Sequence, residues 1–253
     1  MKSSKKTHFF IALVIVLVIV IGFIEFKVTY PIKEATTDIT PSKTYTMSID
    51  TTFNLYVFQP SFSRIELKTG TMPSTENDSI AFCAAAAYTK SILDTFSIDN
   101  IIGGHVACGQ PHNIDTTPDH YGRFVCKDDY WQFIEIEDVA TVDSIIKEGG
   151  SMFTQHWVIK NSNIYLGNKR TASNYYRALC EKNDTLMIAQ SKKPIPFRIF
   201  AKALKAYKME NALYMDMGSG WNHSFYRDSD NQIHILFKRP DEYYCTNWIT
   251  IYK

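Results

Sequence analysis

The sequence predicts an α+β domain made mostly of antiparallel strands with a few helices, preceded by an N-terminal transmembrane helix. Three observations lead to this prediction. Short runs rich in aromatic and β-branched residues alternate with polar turns along most of the 253 residues. Only two segments have the spacing of an amphipathic helix. A lysine-rich start precedes an uninterrupted apolar run from Phe9 to Ile24.

Residues 1–27 are predicted to form a signal anchor. The segment MKSSKK carries three lysines ahead of the apolar run, and bulky Phe23, Ile24 and Phe26 stand where a small-x-small cleavage site is expected. The lysines predict a cytoplasmic N-terminus, which places the C-terminal domain of a single-pass membrane protein outside the cytoplasm. A cleaved signal peptide is the alternative. Residues 28–45, rich in Thr, Pro and charge, are predicted to be a linker.

Residues 46–253 are predicted to form one domain that begins with strands. FNLYVF, RIELKT and SIAFCAAAAYT have the composition of strands. Three hairpins are predicted from strand-like runs on either side of polar turns at 127–129, 182–184 and 228–231. The last predicted strand is NWITIY.

Two helices interrupt this pattern. VATVDSIIKEGG has a stop at Gly149 and an expected apolar face of Val139, Val142, Ile145 and Ile146. PFRIFAKALKAYK has lysines at 202, 205 and 208 on its outer side. Its expected apolar stripe comprises Phe197, Phe200, Ala203, Leu204 and Tyr207.

Composition narrows the possible functions. Lys plus Arg is 27 and Asp plus Glu is 26, so no positive field predicts nucleic-acid binding. The five cysteines form no CxxC pair, which argues against a zinc knuckle, and their odd number leaves at least one thiol free or intermolecular. His105, His156 and His223 lack ligand spacing, so neither a metal nor a cofactor is predicted. A thiol hydrolase that pairs Cys83 with His105 is an alternative.

The stretch ALYMDMGSG is the strongest candidate for a site. A predicted strand ends in Asp216 and is followed by Gly218, Ser219 and Gly220. Glycines allow backbone N–H groups to approach an anion closely. An acid beside such a nest suits hydrolysis of a phosphate-bearing substrate. A plain tight turn capped by Asp216 is the other interpretation.

This stretch, preceded by FAKALKAYKMEN, resembles the signature of the phosphodiester glycosidase family. KRTASNYYRALCEKNDTLMIAQ, with Arg170, is similar to an Arg-Thr-Ala-like segment of that family. Arg239, followed by CTNWITIY, is similar to the Arg before its final strand. CAAAAYT stands in place of the family's Asn-Gly-Gly-Phe-Phe segment, and Met217 stands in place of a glycine.

The resemblance implies a hydrolase that cleaves a sugar from a phosphodiester-linked glycan, and the predicted anchor would attach it to the membrane. Asp216 would act as base, nucleophile or sugar-hydroxyl ligand, and Arg170 would neutralise the departing phosphate. The partners would be this glycan and, through the N-terminal helix, the membrane. A non-catalytic carbohydrate- or phosphate-binding module of the same fold is the alternative. The expected substrate-binding residues are Arg239, Gly218, Ser219, Gly220, His223 and His105.

Overall fold

The computed structural model shows two main β-sheets with a shared apolar core and one short two-stranded sheet. It describes residues 45–89, 101–114, 120–165, 172–217, 223–237 and 246–253. No helix within these ranges is long and apolar enough to cross a membrane. The predicted anchor, residues 1–27, lies outside them.

Every strand pairing seen in the described ranges is antiparallel, which confirms a mainly antiparallel architecture with few helices. The strands are β1 (Met47–Thr51), β2 (Leu55–Pro60), β3 (Arg64–Thr69), β4 (Ile80–Ala85), β5 (His105–Ala107), β6 (Gln110–His112), β7 (Tyr121–Lys127), β8 (Tyr130–Ile134), β9 (Ser151–Lys160), β10 (Asn163–Ile164), β11 (Ser173–Asn174), β12 (Arg177–Lys182), β13 (Thr185–Ser191), β14 (Ile195–Pro196), β15 (Asn211–Met215), β16 (Ser224–Arg227), β17 (Ile233–Phe237) and β18 (Asn247–Tyr252). The helices are α1 (Val139–Lys147) and α2 (Phe197–Ala206).

The strands form a large sheet, a small sheet and a separate pair of short strands, β11 and β14. The large sheet has the order β1-β2-β13-β12-β15-β9-β5-β6, and β7 and β10 also pair with β9. Strand β8 extends this sheet by pairing with β7. The small sheet has the order β17-β16-β4-β18-β3. In the small sheet β4 lies between β16 and β18, so strands that are distant in sequence are neighbours in space.

The three predicted hairpins are confirmed as β7–β8, β12–β13 and β16–β17. Asp128, Asn183 and Asp184 turn the first two with φ values of 52°, 50° and 53°. Asn and Asp tolerate this left-handed conformation better than most residues. In the third turn, the Asp228 carboxylate accepts the N–H of Asp230 at 3.0 Å. Local turn chemistry therefore accounts for all three.

Helix α1 begins at an Asp138 cap whose carboxylate accepts the Thr141 N–H at 3.1 Å. It buries Val142 and Ile145, but the expected burial of Val139 is wrong, since that residue is 58% exposed. Helical side chains lean toward the N-terminus, so the first residue of α1 extends past its packing surface. Gly149 follows the helix at φ 74°, as the predicted stop requires.

Helix α2 confirms most of its predicted apolar stripe. Phe197, Phe200 and Leu204 are buried, and the lysines at 202, 205 and 208 are exposed. The ring of Phe197 lies 5.1 Å from that of Tyr176 and 6.3 Å from that of Tyr214. Ala201 is also buried in this cluster. The amphipathic period of the sequence was therefore sufficient to orient α2.

The main apolar core lies between the large and the small sheet. The large sheet contributes Phe58 and Leu179, and the small sheet contributes Phe82 and Ile249. Burying each such side chain stabilises the fold by about 1.5–3 kcal/mol. Within this interior lies Arg177, which is fully buried.

The guanidinium of Arg177 links the sheets. Its Nε and Nη2 donate to Gln190 Oε1 of β13 at 3.0 and 2.6 Å, and Nη2 also donates to Ser224 Oγ of β16 at 2.5 Å. Burial lowers the pKa of Arg177 to about 9. Gln190 and Ser224 are neutral acceptors, so removal of either one leaves the buried charge with fewer hydrogen bonds.

We expect Gln190→Leu to lower the free energy of unfolding by about 3 kcal/mol, because it removes an acceptor from a buried cation. The double variant Arg177→Met with Gln190→Leu should have a free energy of unfolding within about 1 kcal/mol of the wild type, because the charge and its acceptor are removed together. Urea denaturation measures both, and Gln110→Leu, on an exposed residue of β6, is the control. A double variant no more stable than Gln190→Leu would contradict this role.

Candidate functional site

Asp216 is the first residue after β15, as the sequence predicted for the end of this strand. Its N–H donates to the Ala86 carbonyl at 3.0 Å, and its Oδ2 accepts the Thr89 N–H at 3.4 Å. Asp216 is only 2% exposed. Both its backbone and its carboxylate therefore contact the segment that leaves β4.

The segment from Ala86 to Thr89, here called the crossing segment, passes from β4 of the small sheet to the end of β15 in the large sheet. Asn247 of β18 holds it from the opposite side. The Asn247 Oδ1 accepts the Ala87 N–H at 2.7 Å, and the Nδ2 donates to the Ala87 carbonyl at 3.1 Å. Ala84 to Ala87 are all fully buried. Small side chains therefore let this chain pass between the two sheets without displacing the core.

Tyr88, within the crossing segment, begins a row of rings beside Asp216. Its centroid lies 5.5 Å from that of Tyr214 and 5.7 Å from that of His156. The His156 ring lies 4.1 Å from Tyr121, its cross-strand partner, and 4.9 Å from His120. We call Tyr88, His156 and His120 the aromatic row. Tyr214 and Tyr121 are buried beside it, whereas its three members are partly exposed.

Both predicted substrate-binding histidines lie within the described ranges. His223 is buried immediately before β16, next to Ser224, whose hydroxyl accepts a hydrogen bond from Arg177. His105 begins β5 and is fully buried, with its ring stacked on His112 at 4.8 Å. In β5 it pairs in register with His112 of β6. The preceding Gly104 serves close packing, because a Cβ there would lie 2.7 Å from the Cα of Ile114.

The other predicted site residues lie outside the described ranges. These are Arg170, Arg239, Gly218, Ser219 and Gly220. Met217, between Asp216 and this turn, is described and buried. Its N–H donates to the Tyr214 hydroxyl at 3.2 Å, and its side chain belongs to the apolar cluster beneath α2. The residue after the acid is therefore held by the large sheet.

Thiol chemistry at Cys83 is not supported. The side chain is fully buried in β4, and burial raises the pKa of its thiol to about 12. A thiol with this pKa is almost entirely protonated at neutral pH, and the protonated form is a poor nucleophile. Across the described part of the chain, no group of three or more His, Cys, Asp or Glu side chains is arranged to hold a metal.

Sequence reasoning did not identify Tyr88, Asn247 or Arg177. The sequence offers one weak signal for two of them, a polar residue that opens an otherwise apolar strand. Arg177 precedes ALC, and Asn247 precedes WITIY. Tyr88 has no local signal, because its importance comes from the neighbours that other strands bring to it.

Comparison with known proteins gives a distant structural likeness. No protein-family profile matches the chain, and no curated protein matches it in sequence. A solved structure of the zebrafish N-acetylglucosamine-1-phosphodiester alpha-N-acetylglucosaminidase catalytic domain, auto-inhibited by its pro-peptide, matches with a TM-score of 0.55 at 10% identity. That match covers 83% of this chain and 82% of the other. A hypothetical protein from Synechocystis matches with a TM-score of 0.43 at 11% identity, covering 82% of this chain and 61% of that one.

The likeness to the zebrafish enzyme shows a phosphodiester glycosidase-like fold. At 10% identity it concerns the fold and not the activity. The resemblance noted in the sequence is therefore supported at the level of architecture.

We expect Asn247→Ala to lower the free energy of unfolding by about 2–4 kcal/mol, because it leaves the buried N–H and C=O of Ala87 without this partner. Asn247→Asp should be less stable than the wild type at neutral pH and should recover as the pH falls. Only the protonated carboxyl can donate to the Ala87 carbonyl, and burial raises the pKa of an aspartic acid. Denaturation at several pH values, with Asn163→Ala at an exposed residue of β10 as control, measures both effects. A pH-independent difference between Asn247→Asp and the wild type would contradict the assignment.

Proposed function

We propose that this chain is a glycosidase-type hydrolase that cleaves a sugar from a phosphodiester-linked glycan. One observation carries the proposal. ALYMDMGSG, which resembles the phosphodiester glycosidase signature, is in hydrogen-bond contact at Asp216 with the distant segment CAAAAYT, which stands in place of the family's Asn-Gly-Gly-Phe-Phe segment. The phosphodiester glycosidase-like fold supports the same assignment.

Asp216 has the surroundings that such a reaction needs. Cleavage at the anomeric carbon passes through an oxocarbenium-like transition state, which a nearby carboxylate stabilises. Asp216 is removed from solvent, so its interaction with a developing positive charge is less screened than at a surface. Its role as base, nucleophile or sugar-hydroxyl ligand is left open.

The residues proposed to bind the phosphate come from the sequence. Arg170 is proposed to bind the departing phosphate through its planar fork, with Arg239 as a second contact. Gly218, Ser219 and Gly220 would offer backbone N–H groups. A phosphate monoester is a good leaving group, so neutralisation of its charge matters more than its protonation.

We further propose that the hydrolase is a single-pass membrane protein whose domain lies outside the cytoplasm. MKSSKK followed by the apolar run from Phe9 to Ile24 supports this location. Envelope or secreted glycans would then be the accessible substrates.

A non-catalytic binding module of the same fold is the second candidate. The specific observation behind it is the run of alanines at 84–87, which carries no polar side chain where the family has Asn-Gly-Gly. A module of this kind would bind the sugar phosphate without turning it over.

We expect Asp216→Asn to reduce kcat for a sugar-1-phosphodiester by about 10²–10⁴-fold. The amide oxygen can still accept the Thr89 N–H, so the fold should be retained. Release of the phosphate monoester measures turnover, and Asp184→Asn in the exposed β12–β13 turn is the matched control. Full activity of Asp216→Asn would refute the catalytic assignment. Substrate binding without turnover by the wild type would instead establish the binding module.

We expect Arg170→Ala to weaken phosphate-bearing ligands by about 2–5 kcal/mol while it changes the free energy of unfolding by no more than about 0.5 kcal/mol. Arg170→Lys keeps the charge and loses the planar fork, so affinity should recover only in part. Ligand titrations and thermal melts of both variants test this. A steep loss of stability in Arg170→Ala, or full recovery in Arg170→Lys, would show that the phosphate has been misplaced.

A further inference from the structure

We propose that the aromatic row of Tyr88, His156 and His120 is a sugar-binding wall, and that a pyranose ring stacks on Tyr88 beside Asp216. This inference rests on the proposed function for its substrate class and adds the surface that recognises the sugar. No residue of the row was among the site residues expected from the sequence.

The position of Tyr88 is the first support. The next residue, Thr89, donates its N–H to the Asp216 carboxylate at 3.4 Å, and neighbouring Cα atoms are about 3.8 Å apart. The Tyr88 ring itself lies 5.5 Å from that of Tyr214, two residues before Asp216, which brings a ligand on the ring near the acid. The backbone that carries the ring is also fixed, since the Tyr88 carbonyl accepts the Ile102 N–H at 2.7 Å.

The orientation of the ring is the second support. Tyr88 meets His156 edge to face at 73° and lies against Tyr214 at 42°. These two contacts restrict the ring before any ligand arrives, so binding loses little side-chain freedom. His120 stacks on His156 at 26° and extends the row away from the acid.

The chemistry of the row selects a sugar ring over a phosphate. Tyrosine and imidazole rings offer an electron-rich face to the C–H groups of a pyranose, and their polar atoms suit its hydroxyls. The row carries no permanent cation, whereas a phosphate would require one. Its three members are partly exposed, while the rings that support them, Tyr121 and Tyr214, are buried. A row that served only the core would be buried like its supports.

The test uses the full chain and neutral methyl pyranosides of glucose, galactose, mannose and N-acetylglucosamine as probes. Tyr88→Leu keeps much of the volume and loses the ring, and Tyr88→Phe keeps the ring. We expect Tyr88→Leu to weaken the best-bound pyranoside about fivefold to tenfold and Tyr88→Phe to restore most of the affinity. With a sugar-1-phosphodiester, Tyr88→Leu should raise KM more than it lowers kcat. Tyr130→Leu is the control, on a tyrosine of β8 that is 49% exposed.

The outcomes separate this inference from the proposed function. Pyranoside binding that depends on Tyr88, without turnover by the wild type, supports the wall and refutes the hydrolase. Turnover with pyranoside affinity unchanged in Tyr88→Leu overturns the wall, and so does a wild type that binds none of the probes. If Tyr88→Leu lowers the melting temperature sharply, the pyranoside affinity of His120→Ala, at the outer end of the row, tests the wall instead. Loss of affinity in that variant supports the wall, and unchanged affinity overturns it.

Discussion

The crossing segment, Ala86 to Thr89, is the constraint on which the rest of the site depends. A chain that passes from one sheet to another leaves both hydrogen-bond ladders, yet its backbone groups are buried and need partners. The amide of Asn247 supplies partners on the small-sheet side, and Asp216 supplies them at the end of β15. Asp216 and Tyr88 are therefore positioned by the same few hydrogen bonds.

The buried guanidinium of Arg177 reinforces this end of the sandwich. Arg177 pairs in register with Met215, the residue before Asp216, and donates to Ser224, which pairs with Ala84. Two independent polar links thus join the sheets close to the acid. A buried polar group lowers the free energy of unfolding unless it has hydrogen-bond partners. Arg177 and Asn247 both have such partners, and their hydrogen bonds fix the backbone on either side of Asp216.

The alanines of CAAAAYT have one consequence for chemistry and another for packing. Where the family has Asn-Gly-Gly, this chain has side chains without polar groups, which favours a binding module. The same small side chains allow the crossing segment to pass between the sheets. The crossing segment therefore keeps its path between the sheets without the polar side chains of that family segment.

The sequence by itself determined the local structure of this protein. Hairpin turns, the orientation of α2 and the placement of Asp216 at the end of a strand follow from interactions within a few residues, which periodicity and turn chemistry record. Only the tertiary structure decided which side chains surround Asp216. Tyr88, His156 and Asn247 meet there because strands distant in sequence become neighbours in the sheets. Contacts across such separations depend on strand order, and no local pattern encodes strand order.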